Sequence, residues 1–184
     1  SCDGALPIGC NEVVTGSTDG ASSQSLPFCG TSLSSAPGVW YAFTGTGDDI
    51  EVTTCNAGTN YDTKLGVFSG SCGSLSCVGG DDDDTCPFSS LRSRVEFSST
   101  AGVTYYIYVT GFGSNDGNYE VSLTCTAPPP SVPNDDCSSA IAVTCNSTTT
   151  GTTLGATPES VSFCGTSLTS SGGVWYSFVG NGSM

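Results

Sequence analysis

Apolar residues in this chain recur at alternate positions in short runs, and Gly-, Ser- and Asp-rich turns separate the runs. The stretch Val39-Trp40-Tyr41-Ala42-Phe43-Thr44 shows the pattern most clearly. A period of two marks a half-buried strand, because successive side chains point to opposite faces. The same reading predicts strands over residues 12–18, 50–54, 64–68, 75–78, 91–97, 103–109 and 119–124, with an edge piece at 26–28. No window carries the three-and-four spacing of an amphipathic helix. Short strands punctuated by turns predict an all-β fold, specifically an antiparallel β-sandwich that is jelly-roll-like. Trp40 is expected in its core, and Tyr41, facing the other way, near a surface or sheet edge. An exposed aromatic on a sandwich can stack on a sugar, and Tyr41, Tyr106 and Tyr119 are the candidates.

The pattern also repeats. A shift of 135 residues lays Cys2, Cys10 and Cys29 on Cys137, Cys145 and Cys164, and Trp40 on Trp175, without a gap. Nearly half of the overlaid positions are identical, which predicts tandem copies of one domain. Residues 1–125 are expected to form the complete domain and 126–136, with four prolines, a stiff linker. Residues 137–184 then hold the first part of a second copy, ending opposite Asp49. Half a sandwich exposes its inner face and strand edges. A piece of a longer chain is therefore expected, with completion by strands from a neighbour as the alternative.

Composition narrows the partners. Seventeen acidic residues stand against Lys64, Arg92 and Arg94, for a net charge of −14. Such a chain repels phosphates and anionic lipid, which argues against nucleic acid and membrane insertion. The 11 cysteines, at irregular spacing and with no histidine, predict a disulfide-stapled fold in an extracellular setting, secreted or at a cell surface. Zinc would want close Cys-x-x-Cys pairs, and there are none. Copy one holds eight cysteines, an even number that permits complete pairing. The short loop between Cys72 and Cys77 suggests one disulfide, and Cys2 with Cys10 is a second candidate. Cys125 would then join Cys29, Cys55 or Cys86.

The sharpest polar feature is Gly79-Gly80-Asp81-Asp82-Asp83-Asp84-Thr85-Cys86. Adjacent carboxylates raise one another's pKa unless a cation or amides compensate. A solvated acidic loop is one reading and a Ca2+ site the other, with Asp81, Asp82 and Asp83 as ligands and Asp62 as a further donor. Asn115-Asp116-Gly117-Asn118 reads first as a tight turn. The EF-hand pattern is absent. Without histidine there is no Ser-His-Asp or Cys-His arrangement, and an acidic run does not hold two carboxylates at fixed separation in a cleft. The chain is expected not to be an enzyme. Asn146-Ser147-Thr148 and Asn181-Gly182-Ser183 match the N-glycosylation triplet, making Asn146 and Asn181 candidate glycan acceptors.

Four blocks in copy one carry a family resemblance: residues 60–68, 79–82, 101–111 and 117–121. In order and spacing they resemble the pre-peptidase C-terminal domain family, β-sandwich modules found on secreted microbial proteases and large surface proteins. The resemblance implies that the Asp62 and Asp81-Asp82 turns lie together at one end of the sandwich. It also implies calcium binding near those loops in some relatives, and collagen or carbohydrate binding in others. Eight cysteines and the additional Asp83 and Asp84 depart from the family's ordinary pattern. The expectation is a non-catalytic structural or adhesive repeat whose partners are neighbouring domains or copies of the same protein. The alternative is an accessory module of a secreted enzyme that binds glycan or matrix polymer.

Overall fold

A computed structural model describes residues 1–129, 131–159, 172–180 and 182. The chain divides into two compact units, Ser1–Pro128 and Pro129–Met184.

Unit one holds two sheets. The first has five strands in the order β1 (Leu6–Pro7), β3 (Val39–Thr44), β8 (Thr104–Gly111), β5 (Thr63–Ser71) and β6 (Ser74–Asp81). The second orders β2 (Glu12–Ser17), β9 (Asn118–Thr126), β4 (Asp49–Thr53) and β7 (Arg94–Ser98). Every neighbouring pair in these sheets is antiparallel except β1 with β3, which run parallel. That pair corrects the wholly antiparallel expectation, and β1 itself has too short a span to show any period. Residues 26–28 form no strand.

Alternation places one face of each sheet in a shared core. Tyr41, Phe43, Leu65, Val67 and Ile107 from the first sheet meet Ile50, Val52, Val121 and Leu123 from the second. This core also contains polar atoms. The hydroxyls of Tyr41 and Tyr119 lie 2.8 Å apart, rings edge to face, with both residues buried. Burial raises the pKa of both phenols, so the pair stays neutral. Neither tyrosine is the surface aromatic expected from the sequence, and Tyr106 is half-buried.

The other face of the five-stranded sheet should be wet in a simple sandwich. Here it carries Trp40, Phe68 and Tyr108, which cluster with Cys2, Cys29 and Leu33. The Trp40 ring lies 4.6 Å from that of Tyr108 and 5.9 Å from that of Phe68. Phe68 reaches this face by the same alternation that sends Leu65 and Val67 into the core, while the register of β6 shifts by one residue opposite Val67 and Phe68. The cover is the N-terminal turn Cys2–Gly4 together with the long connection between β2 and β3. Thr110 Oγ1 donates to the carbonyl of Pro37 at 2.8 Å and holds the connection on β8. Trp40 and Tyr41 therefore do face opposite ways, and both are buried because each face has its own cover.

Four disulfides close unit one: Cys2–Cys72, Cys10–Cys125, Cys29–Cys77 and Cys55–Cys86. The expected Cys72–Cys77 and Cys2–Cys10 pairs are not formed. Cys72 lies in the β5–β6 turn and Cys77 on β6 opposite Phe68, and each meets the covering segment rather than the other. Cys10 sits next to β2, whose partner β9 brings up Cys125, so the terminal cysteine takes none of the three partners expected for it. Gly30 and Gly80 explain how the cover comes so close: a Cβ on Gly80 would stand 1.9 Å from the Cys29 carbonyl oxygen.

Unit two forms a parallel pair of β10 (Ile141–Val143) with β11 (Tyr176–Phe178). Its register, Ile141 opposite Tyr176, is that of Leu6 opposite Tyr41 in unit one, 135 residues on. The turn Cys137–Ser139 matches Cys2–Gly4 at the same shift, and the left-handed Asn146 matches Asn11. Asn134, expected in the linker, is buried and exchanges backbone and side-chain hydrogen bonds of 2.8 Å with Trp175. The fold of unit two thus begins before Cys137.

The tyrosine pair gives a direct test of the core. Tyr119→Phe leaves the Tyr41 hydroxyl buried without a partner and should lower unfolding free energy by ~1–3 kcal/mol. The Tyr41→Phe, Tyr119→Phe double variant should recover much of that loss, as read by denaturant unfolding of both proteins. Strict additivity of the two single variants would mean the hydroxyls do not depend on each other.

Candidate functional site

The acidic run follows directly from β6. Asp81 is the last residue of that strand, and a buried hub of three hydroxyls anchors the residues after it. Thr54 Oγ1 and Thr63 Oγ1 are 2.7 Å apart, and Ser93 Oγ donates to the carbonyls of Thr63 at 2.7 Å and Asp82 at 2.8 Å. The ends of β4, β5, β6 and β7 are joined at this point. Threonine and serine suit it because one hydroxyl can both donate and accept.

Each aspartate of the run meets a different fate. Asp81 Oδ2 accepts the backbone N–H of Arg94 at 2.9 Å. Asp82 Oδ2 pairs with Lys64 Nζ at 3.0 Å, and Asp84 Oδ2 with Arg94 Nε at 3.0 Å. Asp83 is exposed. Arg92, buried, donates from Nη1 to the Asn56 carbonyl at 2.7 Å and from Nη2 to that of Thr59, bracing the neighbouring loop. Cys55–Cys86 ties that loop to the end of the run. All three basic side chains of the chain are therefore committed around the acidic loop.

Asp62 enters from the start of β5. Its carboxylate oxygens and those of Asp82 and Asp83 can lie within 4.8 Å of one another. Asp62 Oδ1 and Asp82 Oδ1 are buried atoms with no hydrogen-bond partner. Burial raises the pKa of Asp62, the carboxylates of Asp83 and Asp82 raise it further, and Lys64 offsets part of the rise. Burial also raises Asp81, against the amides of Arg94 and Asp82. Of the four residues expected to bind metal, the structure brings Asp62, Asp82 and Asp83 together. Asp81 instead faces the backbone of β7. The two other metal-sized groupings among the described residues, Cys10–Asp48–Cys125 and Cys55–Asp84–Cys86, have their sulfurs in disulfides.

An aromatic ring stands beside the triad. The Phe112 amide donates to the Asp62 carbonyl at 3.1 Å, and Lys64 Nζ lies 4.8 Å from the Phe112 ring centroid. Phe112 is 52 % exposed, and so presents an open face next to three carboxylates. The sequence held no signal for Phe112 beyond its place after β8. The hydroxyl hub was equally silent, since Ser and Thr are common throughout the chain. The three basic residues were the usable clue. The 115–118 turn contributes no carboxylate to the triad. Asn146 is exposed, and Asn181 lies outside the described residues. Among the described residues no helix is long and apolar enough to cross a membrane.

No family model matches the chain, and no curated protein does. Among solved structures it is similar to the pre-peptidase C-terminal domain of collagenase from Bacillus anthracis, at 17 % identity and a TM-score of 0.44. The match covers 65 % of this chain and 94 % of that one.

The raised carboxylates set an unusual pH dependence. Between the ordinary carboxylate pKa and the higher folded value, the native state binds more protons than the unfolded chain, so stability falls as pH rises through that window. Metal-free protein should therefore gain thermal stability as pH falls through the raised folded pKa of Asp62 toward the ordinary carboxylate value. Asp62→Asn should raise the neutral midpoint and flatten the gain. Thermal melts across the mildly acidic range check this, and an Asp62→Asn variant with unchanged pH dependence would remove Asp62 as its source.

Proposed function

We propose that this chain is a non-catalytic accessory module of an extracellular protein, which binds glycan or matrix polymer and has its acidic loop closed by Ca2+. The observation that carries the reading is the exposed Phe112 ring, seated on Lys64 beside Asp62, Asp82 and Asp83. An open aromatic face next to hydrogen-bonding groups is what a sugar ring needs, since its C–H face stacks while its hydroxyls are bonded. Leu91, whose carbonyl accepts the Thr63 amide, adds exposed apolar surface at the same end. Four disulfides suit an oxidising compartment.

The donor set fits calcium. Asp62, Asp82 and Asp83 would hold it, all hard oxygen donors, with no nitrogen or free thiolate among them. Calcium takes six to eight oxygens, and second carboxylate oxygens, carbonyls and water can complete that number. The two buried oxygens without partners are the atoms with most to gain. Lys64 competes, since its ammonium already sits on Asp82, so binding weaker than in a site free of internal cations is expected. Bound calcium would fix the loop against the start of β5 and with it the Phe112 surface.

A structural or adhesive repeat is the second reading, and unit two favours it. Tyr176 and Phe178 are 38 % and 57 % exposed, whereas their counterparts Tyr41 and Phe43 lie buried beside β8. An edge of this kind can take further strands from neighbouring domains or copies of the protein. Tandem repetition, jelly-roll-like connection and glycan attachment at Asn146 belong to this reading.

Calorimetric titration with Ca2+ tests the metal. Wild type should bind, and Asp62→Asn with Asp83→Asn should lose binding while folding normally; equal heats in both proteins would exclude the triad. Retention on insoluble polysaccharide or collagen tests the surface. Phe112→Ala should weaken it about tenfold, and chelation of calcium should do likewise. A module with no polymer affinity, but a calcium-dependent tendency to self-associate, would favour the repeat.

A further inference from the structure

Unit two holds one side of two interfaces that unit one completes. In unit one β3 pairs with β8, and β2 pairs with β9. Among the described residues β11, the counterpart of β3, has β10 as its one neighbour. Residues 147–152, the counterpart of β2, form no strand. Between these segments lies a hollow of about 240 Å3 lined by Val143, Thr144, Ser147, Thr149 and Tyr176. Val143, Thr149 and Tyr176 stand where unit one has Ile8, Val14 and Tyr41. Those three pack into the shared core with Tyr119, Val121 and Leu123 of β9. The hollow is thus open where β9 side chains fill unit one.

Two further features identify what fits there. In unit one Gly16 leaves room for the Tyr119 hydroxyl, which a Cβ at that position would strike. Gly151 keeps the same room in unit two, and the Tyr176 hydroxyl lies in it. Tyr41, the counterpart of Tyr176, instead bonds the Tyr119 hydroxyl at 2.8 Å. The second feature is a thiol. Cys145 is exposed and unpaired, whereas its counterpart Cys10 is joined to Cys125 near the end of β9. A strand with the spacing of Tyr119 and Cys125 therefore matches a glycine and a thiol already present in unit two.

We propose that unit two is an acceptor for a strand pair of the β8–β9 kind supplied by a second polypeptide. An aromatic-rich strand lies along β11, and a strand carrying tyrosine and cysteine lies along residues 147–152. The inference rests on the repeat reading above and names the chemistry of its partner. The chain's own β8 and β9 are held in unit one, where Cys10–Cys125 closes them in. The first incoming strand satisfies the open backbone edge of β11 and covers Tyr176 and Phe178, as β8 flanks Tyr41 and Phe43. The second orders residues 147–152 through ladder hydrogen bonds. Its tyrosine takes the room above Gly151 and meets the Tyr176 hydroxyl. Covalent closure follows by exchange. The Cys145 thiolate attacks a mixed disulfide on the incoming cysteine; a new S–S bond forms, the old one breaks, and the small thiol leaves as thiolate without net oxidation.

The probe is a synthetic peptide of residues 103–126 with Cys125 as a glutathione mixed disulfide, added to the full chain. It should bind saturably and be trapped on Cys145 rather than Cys137, as mass spectrometry of the digested adduct reads. Cys137 is the control, because its counterpart Cys2 pairs with Cys72, which the peptide lacks. The same peptide in shuffled order should neither bind nor be trapped. Gly151→Val fills the place of the incoming tyrosine. It should weaken binding of a Cys125→Ser peptide about tenfold by fluorescence anisotropy and leave the melting of unit one unchanged. No saturable binding, equal trapping on Cys137 and Cys145, equal binding of the shuffled peptide, or undiminished binding by Gly151→Val overturns the proposal. Self-association in calcium is followed by ultracentrifugation without peptide. If it occurs while the peptide fails to bind, this partner alone is overturned; if neither occurs, the repeat reading falls with it.

Discussion

An apolar outer face on the five-stranded sheet is the constraint on which the rest of unit one depends. Trp40, Phe68 and Tyr108 occupy positions that alternation assigns to solvent, and among the described residues no α-helix lies over them. The cover is irregular chain, which makes few internal hydrogen bonds and would gain entropy by leaving. Cys2–Cys72 and Cys29–Cys77 prevent that. Both run from the covering segment to the β5–β6 hairpin, closing loops that are expensive in entropy to close by contacts alone. Glycines at 30 and 80 then allow backbone to approach backbone where a side chain on either would collide. The result is one sheet buried on both faces, without helices, in a domain of modest size.

Charge is arranged under the same economy of means. A chain with seventeen acids and three bases has few cations to place, and all three stand around one loop. Lys64 and Arg94 each meet an aspartate of the run, while Arg92 takes two carbonyls and has no carboxylate partner. Lys64 neutralises only part of the Asp62, Asp82 and Asp83 group, and burial together with the neighbouring carboxylates still raises the pKa of Asp62. The loop is therefore neither a simple solvated acidic stretch nor a fully compensated one.

Strands long enough to alternate were legible in the sequence, because burial on one side imposes the period directly. β3, β5, β8 and β9 fall where the pattern places them, give or take terminal residues. The parallel β1 was not legible, since two residues, one of them proline, have no period. Disulfide pairing was not legible either. It depends on which segments are neighbours in space, and short sequence separation pointed to Cys72 with Cys77 when the covering segment brings Cys2 to the one and Cys29 to the other. The site was half legible: a run of carboxylates advertises itself, but the hydroxyls of Thr54, Thr63 and Ser93 that hold it look like any others. Tyr41 was misjudged for a related reason. The sequence marks which residues alternate, and it does not say that a loop will return to cover the second face.

Unit two repeats local features of unit one without their burial. The early turn, the left-handed asparagine and the parallel strand pair recur there with the same register as in unit one. These features need only neighbours close in sequence, plus one return contact. Burial does not recur: Tyr176 and Phe178 remain largely open, whereas Tyr41 and Phe43 are enclosed by β8 and the four-stranded sheet. In unit one β8 and the four-stranded sheet supply the apolar area that encloses β3. The indole of each unit shows the same division at one atom. Its placement follows from the strand, but its hydrogen bond depends on a single residue in the covering segment, a glutamate in one unit and a glutamine in the other.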